Sequence, residues 1–480
     1  MQRSSAPTPA PGLPPNDPSG WMPWHVALAL AITACGLALR FVHARSFLSA
    51  GHASDYEAAM QAVRWVDTQH RLFDAGDDLH VGYHAPLWYV IAAVIFHVSH
   101  AVRPIAYLSV GAWLARQWVL AKIVRAALPR RPVAGLLSLA LSAALPIGVL
   151  VDGKIYNEGL HAALFAVALW FLFKIERQGA VDPRAVRRRD ALAFGAFAGL
   201  ALLTKTTALV LVLCFAALLG AWAWRAGLGR LRSVARSLVE VGLAGAGGWL
   251  GVAGWWCVRN YRKFGHPFPH QYMLRQVAVL HDHPIVAEPL AYRRPIGWAL
   301  PTQFEWLGWP YGPWSRPNFW ANLVGGTWSD ILHRGLCRSR LPGPTVTAWR
   351  DATRVNFACL GASRWCIWIG CALTALTVFG AVALARQYAR TRGRNGSLVV
   401  PASAAATVLL LMAFGAAYPF DHHPVIKANY ALCASTPLCA CFAFAVSSVG
   451  RAPLGRLVEG AVALGVAAVG ALVALQVLVF

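Results

Sequence analysis

The chain has 480 residues, of which 57% are hydrophobic and 13% are charged. A typical soluble domain carries about 25% charged residues, so this composition excludes an ordinary cytosolic enzyme, a secreted disulfide scaffold and a disordered protein. It predicts an all-α polytopic membrane protein. The net charge of +23 does not indicate a nucleic-acid partner here, because basic residues mark the cytoplasmic loops of membrane proteins.

The predicted spans begin after residues 1–22, a Pro-, Ser- and Gly-rich segment that is typical of a disordered tail. The first apolar run, about Trp24 to Leu39, lacks a clear cleavage site and is interpreted as a span rather than as a signal peptide. Eleven further apolar segments follow, at 86–100, 105–126, 132–150, 159–174, 190–204, 206–224, 237–257, 366–385, 398–417, 428–447 and 457–480.

Clusters of Arg and Lys between these segments are assigned to the cytoplasm by the positive-inside rule. Two apolar segments, 86–100 and 105–126, lie where this topology allows only one net crossing, so we predict eleven to thirteen crossings. The predicted divisions are an N-terminal transmembrane module 23–257 with a first outer loop 43–85, a long outer loop 258–365, and C-terminal transmembrane helices 366–480.

The acidic residues fall mostly on the predicted outer face. Six lie in the first outer loop, two in 151–158 and five in the long loop, and Asp421 follows. This distribution favours chemistry at the membrane surface, whereas a transporter would place ionisable groups within its spans. The long loop is rich in Trp and Arg, which suits either an interfacial amphipathic segment on membrane lipids or a pocket for a lipid phosphate. Its Cys337 and Cys359 can pair if the loop faces an oxidising compartment.

Polar motifs stand at the predicted outer ends of several spans. A carboxylate just beyond a helix end is well placed for general-base work on a substrate carried by a lipid. The motifs are Ser54-Asp55-Tyr56-Glu57, Tyr83-His84-Ala85-Pro86-Leu87, Asp152 to Glu158, Leu203-Thr204-Lys205, Trp255 to Tyr261 with Phe264 to Pro267, Asn318 to Asp330, and Lys427-Ala428-Asn429-Tyr430.

In their order and common sidedness, these motifs resemble the GT-C membrane glycosyltransferases over roughly residues 25–450. The branch they resemble is family 39, the bacterial protein-mannosyltransferase-like group, which includes enzymes that modify lipid A or envelope glycans. The resemblance implies a GT-C-like helix bundle in the bacterial inner membrane with its active site facing the periplasm. It also implies inverting transfer of a hexose or pentose from a polyprenyl-phosphate donor to an envelope lipid, glycan or protein.

The resemblance assigns roles to individual residues. Asp55 is the expected general base, with Glu57 as the alternate. Arg259 and Lys205 are expected to stabilise the leaving phosphate, because arginine suits bidentate phosphate contact and lysine acts as a point charge. The other expected substrate-binding residues are His84, Asp152, Glu158, Asn260, Lys427 and Tyr430. Within that set, His84 contacts phosphate or sugar, and Asp152 and Glu158 orient the sugar or acceptor or hold Lys205.

Two departures from the family pattern bear on these roles. Many relatives carry Arg-Tyr in the late motif where this chain has Asn429-Tyr430, so Lys427 is the candidate to replace the arginine. Relatives often have adjacent Asp-Glu in the first loop, whereas Tyr56 intervenes here.

No cofactor follows from these motifs, and a divalent metal ion stays an open alternative. His281-Asp282-His283 and Asp421-His422-His423 carry ligand types that a transition metal accepts, although adjacent loop residues alone rarely form a site. The rival function is a polytopic lipid or solute transporter or flippase. It predicts internal repeats and charges near the middle of the membrane, and Glu240 is almost the only acidic residue clearly inside a predicted span.

Overall fold

The fold is helical throughout the part of the chain that the computed structural model describes. The described residues are 20–49, 54–73, 77, 79, 84–269, 323–324, 326–328, 346–391, 396–417, 428–450 and 454–478. No strand occurs among them. The helices are α1 Pro23–Ser49, α2 Ser54–Gln69, α3 Leu87–Ser99, α4 Arg103–Ala127, α5 Pro132–Ala144, α6 Pro146–Asp152, α7 Asn157–Gly179, α8 Arg188–Leu202, α9 Leu209–Trp249, α10 Trp255–Phe264, α11 Val346–Arg390, α12 Val399–Ala417, α13 Ser435–Val449 and α14 Gly455–Leu478.

Each of the twelve predicted apolar segments forms a helix or a pair of helices. Within the described ranges, seven helices are long and apolar enough to cross a membrane, and eight if the bent pair α5 and α6 is one span. The chain is therefore a multi-pass membrane protein, as its composition predicts. This count is lower than the predicted eleven to thirteen crossings, because α3, α8 and the described apolar part of α12 are short and α4 carries several charges.

The two segments that compete for one crossing differ in length. The 13 residues of α3 extend about 20 Å at 1.5 Å per residue, which is less than the hydrocarbon core of about 30 Å. The 25 residues of α4 are long enough to cross. Of the two helices, only α4 is long enough for the single crossing that the predicted topology allows, and its charges keep it out of the seven apolar helices counted above.

The predicted outer loops contain helix that the apolar pattern alone does not predict. In the first, 43–85, α1 continues to Ser49 and α2 occupies Ser54–Gln69. In the second, 258–365, α10 continues to Phe264 and α11 begins at Val346, twenty residues before the predicted span. The buried face of α2 includes Met60 and Val63 and packs on α3. α2 is therefore part of the helix bundle.

Two long helices are interrupted in ways that set the direction of the chain beyond each break. Gly227 has φ +64°, which breaks α9 into the two spans 206–227 and 234–264. A π-helical turn at Leu250–Gly254 then joins α9 to α10. The extra residue in a π turn rotates the next helical segment about the helix axis. After the turn, Trp256 and Asn260 are buried one helical turn apart on the same face.

α8 and α9 pack closely through glycines. A Cβ atom on Gly195 would overlap the carbonyl oxygen of Gly245, and one on Gly248 would overlap the carbonyl of Leu192. Close backbone approach through small residues is how helices pack in a membrane, where lipid tails remove the hydrophobic drive between helices. This contact holds the C-terminal end of α8 near α10.

Candidate functional site

The motifs from separate parts of the sequence meet at one end of the bundle. The backbone N–H of Leu87 donates to the carbonyl of Leu203 at 2.8 Å, which joins the start of α3 to the end of α8. The side-chain amide of Asn157 donates to the carbonyl of Thr204 at 3.2 Å, which joins the start of α7 to the same place. Three parts of the chain are therefore neighbours: the start of α3, the start of α7 and the turn between α8 and α9.

Lys205 lies in that turn and is surrounded by residues from two distant segments. Its Nζ donates to Oε1 of Glu158 at 3.0 Å and lies 4.0 Å from the ring centre of Tyr430. Nδ2 of Asn429 donates to the same Glu158 oxygen at 3.2 Å. We call these four residues, Lys205, Glu158, Asn429 and Tyr430, the Lys205 cluster. It joins the start of α7 to the short 3-10 helix Ala428–Ala434.

A buried histidine holds the backbone turn that carries Lys205. Lys205 is extended, with φ −162° and ψ 140°, between the end of α8 and the 3-10 helix Thr206–Ala208. Nδ1 of His161 lies 3.1 Å from the hydroxyl of Thr204, and its Nε2 lies 2.8 Å from the hydroxyl of Thr207. His161 therefore contacts the turn on both sides of Lys205. The sequence analysis missed it, although it follows Glu158 by three residues and so shares its helix face.

Arg259 and Asn260 lie on α10, which follows the π turn. The Arg259 guanidinium stacks at 4.7 Å over the ring of Trp256 and donates to the carbonyl of Phe73 at 3.5 Å. Asn260 is buried and donates to the carbonyl of Pro267 at 3.3 Å. α10 ends at Phe264 and is capped by Gly265. The φ of Gly265 is +68°, a left-handed conformation that glycine adopts without strain. Arg259 therefore joins α10 to the segment between α2 and α3, in which Phe73 lies.

His84 reaches the same region through two aromatic rings. Its Nδ1 lies 2.5 Å from the hydroxyl of Tyr89, and the Tyr89 ring packs edge-on against Phe73 with 5.0 Å between ring centres. Since Phe73 accepts the hydrogen bond from Arg259, His84 and Arg259 lie on either side of one aromatic contact.

The two predicted base candidates lie in the first turn of α2. Glu57 is exposed, and the side chain of Asp55 lies outside the described residues. The described residues therefore do not give the distance from the Asp55 carboxylate to the Lys205 cluster. The place of α2 beside α3 is established by the buried contacts of Met60 and Val63.

Asp152 has a different environment from the one that the motif suggests. Its carboxylate is fully buried, 2.9 Å from Nε of Arg40 and in a second ion pair with Arg116. Of the two carboxylates expected to orient the substrate or to hold Lys205, Glu158 contacts Lys205, whereas Asp152 pairs with the two arginines. The sequence analysis also missed Arg40 and Arg116. The available signal is a charged residue within or directly beside an apolar segment, which is rare unless it is paired.

Three further expectations fall outside the described residues. They concern Lys427, the possible metal ligands at 281–283 and 421–423, and the pairing of Cys337. The structure does not address their roles. Among the residues that are described, no group of three or more His, Cys, Asp or Glu side chains could hold a metal ion.

Solved structures that are similar to this chain include two of ArnT from Cupriavidus metallidurans, one bound to undecaprenyl phosphate and one in the apo state. The first is 18% identical and covers 96% of this chain and 78% of that chain, with a TM-score of 0.36. The second is 15% identical and covers 96% and 77%, with a TM-score of 0.34. No family model and no curated protein matches the chain. A likeness this distant does not by itself identify the fold family or the activity.

Proposed function

We propose that this protein is an inverting GT-C-type glycosyltransferase of the bacterial inner membrane. It moves a sugar from a polyprenyl-phosphate donor to an envelope acceptor on the periplasmic side. The observation that carries the proposal is the convergence, at one end of an apolar bundle, of the His84, Glu158, Lys205, Arg259 and Tyr430 motifs. These motifs are widely spaced in the chain, and their order supports the family resemblance.

The proposed reaction is a single displacement at the anomeric carbon. Asp55 takes the proton of the acceptor hydroxyl, and the oxygen attacks the anomeric carbon from the face opposite the phosphate. The bond between that carbon and the phosphate oxygen breaks, and polyprenyl phosphate leaves with the electron pair. The leaving group needs stabilisation of its charge rather than a proton. Glu57 is the alternate base.

Of the two cations expected at the phosphate, Arg259 is the better candidate. The Lys205 ammonium is already neutralised by Glu158 at 3.0 Å. Arg259 lies at the junction between α10 and the first outer segment, and its planar guanidinium presents paired donors that match a phosphate. The stacking on Trp256 fixes the plane of those donors. We therefore place the donor phosphate at Arg259.

A lipid flippase or transporter is the second candidate function. The observation that favours it is the buried group of Arg40, Asp152 and Arg116 among apolar helices, because ionisable side chains inside a membrane often mark a substrate path. We favour the transferase, since the two ion pairs give this group a role in holding the helices together. Movement of a lipid without turnover would reverse that choice.

The experiment that tests the proposal is sugar transfer by the purified protein in nanodiscs. A panel of radiolabelled polyprenyl-phosphate sugars is offered with envelope extract as acceptor. Wild type is compared with Asp55→Asn, with Glu57→Gln, and with Asp67→Asn as a matched carboxylate control on the same helix. We expect transfer by wild type and Asp67→Asn and none by Asp55→Asn. Loss in Glu57→Gln instead would move the base to Glu57.

An absence of turnover with every donor would overturn the proposed transferase. If the wild-type protein then moved a labelled lipid between leaflets of a vesicle, the flippase would replace it.

A further inference from the structure

Two buried oxygen atoms of the Lys205 cluster have no hydrogen-bond donor among the described residues. They are Oε2 of Glu158 and Oδ1 of Asn429. The other polar atom of each side chain is in use, since Oε1 of Glu158 accepts from Nδ2 of Asn429 at 3.2 Å. The two open acceptors belong to the two side chains that this bond joins.

Burial makes these open acceptors significant. Glu158 is only 5% exposed, and buried polar atoms in native proteins nearly always have a partner. A buried acceptor without a donor is costly, more so when it carries charge. A hydrogen-bond donor for the pair comes from outside the described residues, and a bound ligand is one source of it.

The charges of the cluster indicate which kind of donor fits. Lys205 and Glu158 neutralise each other at 3.0 Å. A phosphate brings acceptor oxygens and negative charge, which the open carboxylate oxygen would repel. A hydroxyl group donates a hydrogen bond and carries no charge. Two open acceptors on joined side chains suit a ligand with several hydroxyl groups, such as a sugar ring. The Tyr430 ring beside Lys205 offers an aromatic surface for the C–H face of such a ring.

We infer that the Lys205 cluster is a hydroxyl-binding subsite that takes the sugar ring of the polyprenyl-phosphate donor. Glu158 and Asn429 accept from its hydroxyl groups, and Lys205 holds Glu158 in place. This inference rests on the proposed function and deepens it. It separates the sugar from the phosphate, which is placed at Arg259.

The test measures binding of two lipids to the full-length protein in nanodiscs. One probe is polyprenyl phosphate, and the other is the same lipid carrying one hexose or one pentose. The variants are Asn429→Leu and Glu158→Gln. The matched control is Gln117→Leu, which removes another buried amide whose oxygen lacks a donor within the described part of the chain. Gln117 lies on α4 and donates to the carbonyl of Leu139.

We expect Asn429→Leu to weaken binding of the sugar-bearing lipid by about 3- to 10-fold and Glu158→Gln by roughly 10- to 100-fold, as for neutral and charged hydrogen bonds respectively. Binding of polyprenyl phosphate should stay within about 2-fold of wild type, since no phosphate contact is lost. That retained binding also shows that the variants are folded. Gln117→Leu should leave both affinities unchanged.

Equal losses for both lipids, or no loss for either, would overturn the inference. If Asn429→Leu left donor binding intact but raised the KM for the acceptor, the hydroxyl groups would belong to the acceptor and the donor assignment would be wrong. A wild-type protein that bound neither lipid would count against the proposed function itself.

Discussion

Arg40 and Asp152 form a fully buried ion pair across 2.9 Å between α1 and the end of α6. Nη1 of Arg40 also donates to the carbonyl of Ala143 at 2.9 Å, and Nη2 reaches the carbonyl of Ser142 at 3.4 Å. These carbonyls lie at the end of α5, before the 52° bend to α6. Pro146 has no N–H to donate to Ser142 four residues earlier. Arg40 therefore supplies donors that the broken helix lacks.

Replacing Asp152 by Asn should strongly destabilise the protein. The change leaves Arg40 and Arg116 buried without their anion, and removing one partner of a buried ion pair costs about 3–5 kcal/mol. Thermal unfolding of the purified protein in detergent should show a clearly lower midpoint. Glu240→Gln is the control, because Glu240 pairs with two mostly exposed arginines and should change the midpoint little. An unchanged midpoint for Asp152→Asn would contradict the role of Asp152 as a structural anion.

Glu176 caps α12 from a neighbouring helix, so Glu176→Ala should destabilise the opposite end of the bundle. Its Oε1 accepts from the backbone N–H of Leu398 at 2.7 Å and of Val399 at 3.2 Å. The N–H of Val399 is buried, and a buried N–H that loses its acceptor costs about 1–3 kcal/mol. Glu176→Gln keeps one acceptor oxygen and should lose less. An unfolding midpoint of Glu176→Ala equal to that of wild type would show that the cap contributes nothing.

Gly195→Ala should lower stability, because the new Cβ overlaps the backbone of α9 at Gly245. Gly220→Ala is the matched change at a helical glycine whose Cβ would meet nothing within 4 Å. Alanine is favoured over glycine in an exposed helix by about 0.5–1 kcal/mol, so this control should be neutral or stabilising. The two unfolding midpoints should therefore move in opposite directions. A shared direction would argue against tight packing of α8 on α9.

Arg259→Gln should weaken use of any polyprenyl-phosphate donor by about 10- to 100-fold, since a hydrogen bond to a charged group contributes about 1.5–3 kcal/mol. Arg259→Lys keeps the charge without the paired donors and should lose part of this. The control is Arg262→Gln, at an exposed position on the same helix. Binding of polyprenyl phosphate to the nanodisc-held protein measures the effect. Equal affinities for Arg259→Gln and Arg262→Gln would remove Arg259 from the phosphate site.

The site should face the periplasm, and single cysteines can report this. Glu57→Cys and Val181→Cys place thiols at exposed positions on the first outer segment and on the connection between α7 and α8. In a background in which the ten native cysteines are changed to serine or alanine, a membrane-impermeant maleimide added to spheroplasts should label Glu57→Cys only. Permeabilised cells should label both. Labelling of Val181→Cys in intact spheroplasts would show that the topology is the reverse of the one proposed.

The extent to which the site could be predicted varies with how local each signal is. Lys205, Glu158 and Tyr430 are recognisable in the sequence as polar residues at apolar-segment ends, and the structure brings them together. Asp152 carries the same signal, yet it pairs with Arg40 from 112 residues away. No spacing rule in one sequence distinguishes a carboxylate that faces a ligand from one that neutralises buried arginines.

The sequence by itself determined the class of protein and the positions of its apolar helices. The reason is that a run of apolar residues must satisfy its backbone hydrogen bonds within the run when it enters a membrane, and a helix does so locally. Tertiary structure alone decided the bend after α5, the clamp of His161 on the Lys205 turn, and the division of the acidic residues between ion pairs and open acceptors. These features depend on which distant side chain supplies each missing hydrogen-bond partner or charge, and that is settled only when the helices pack.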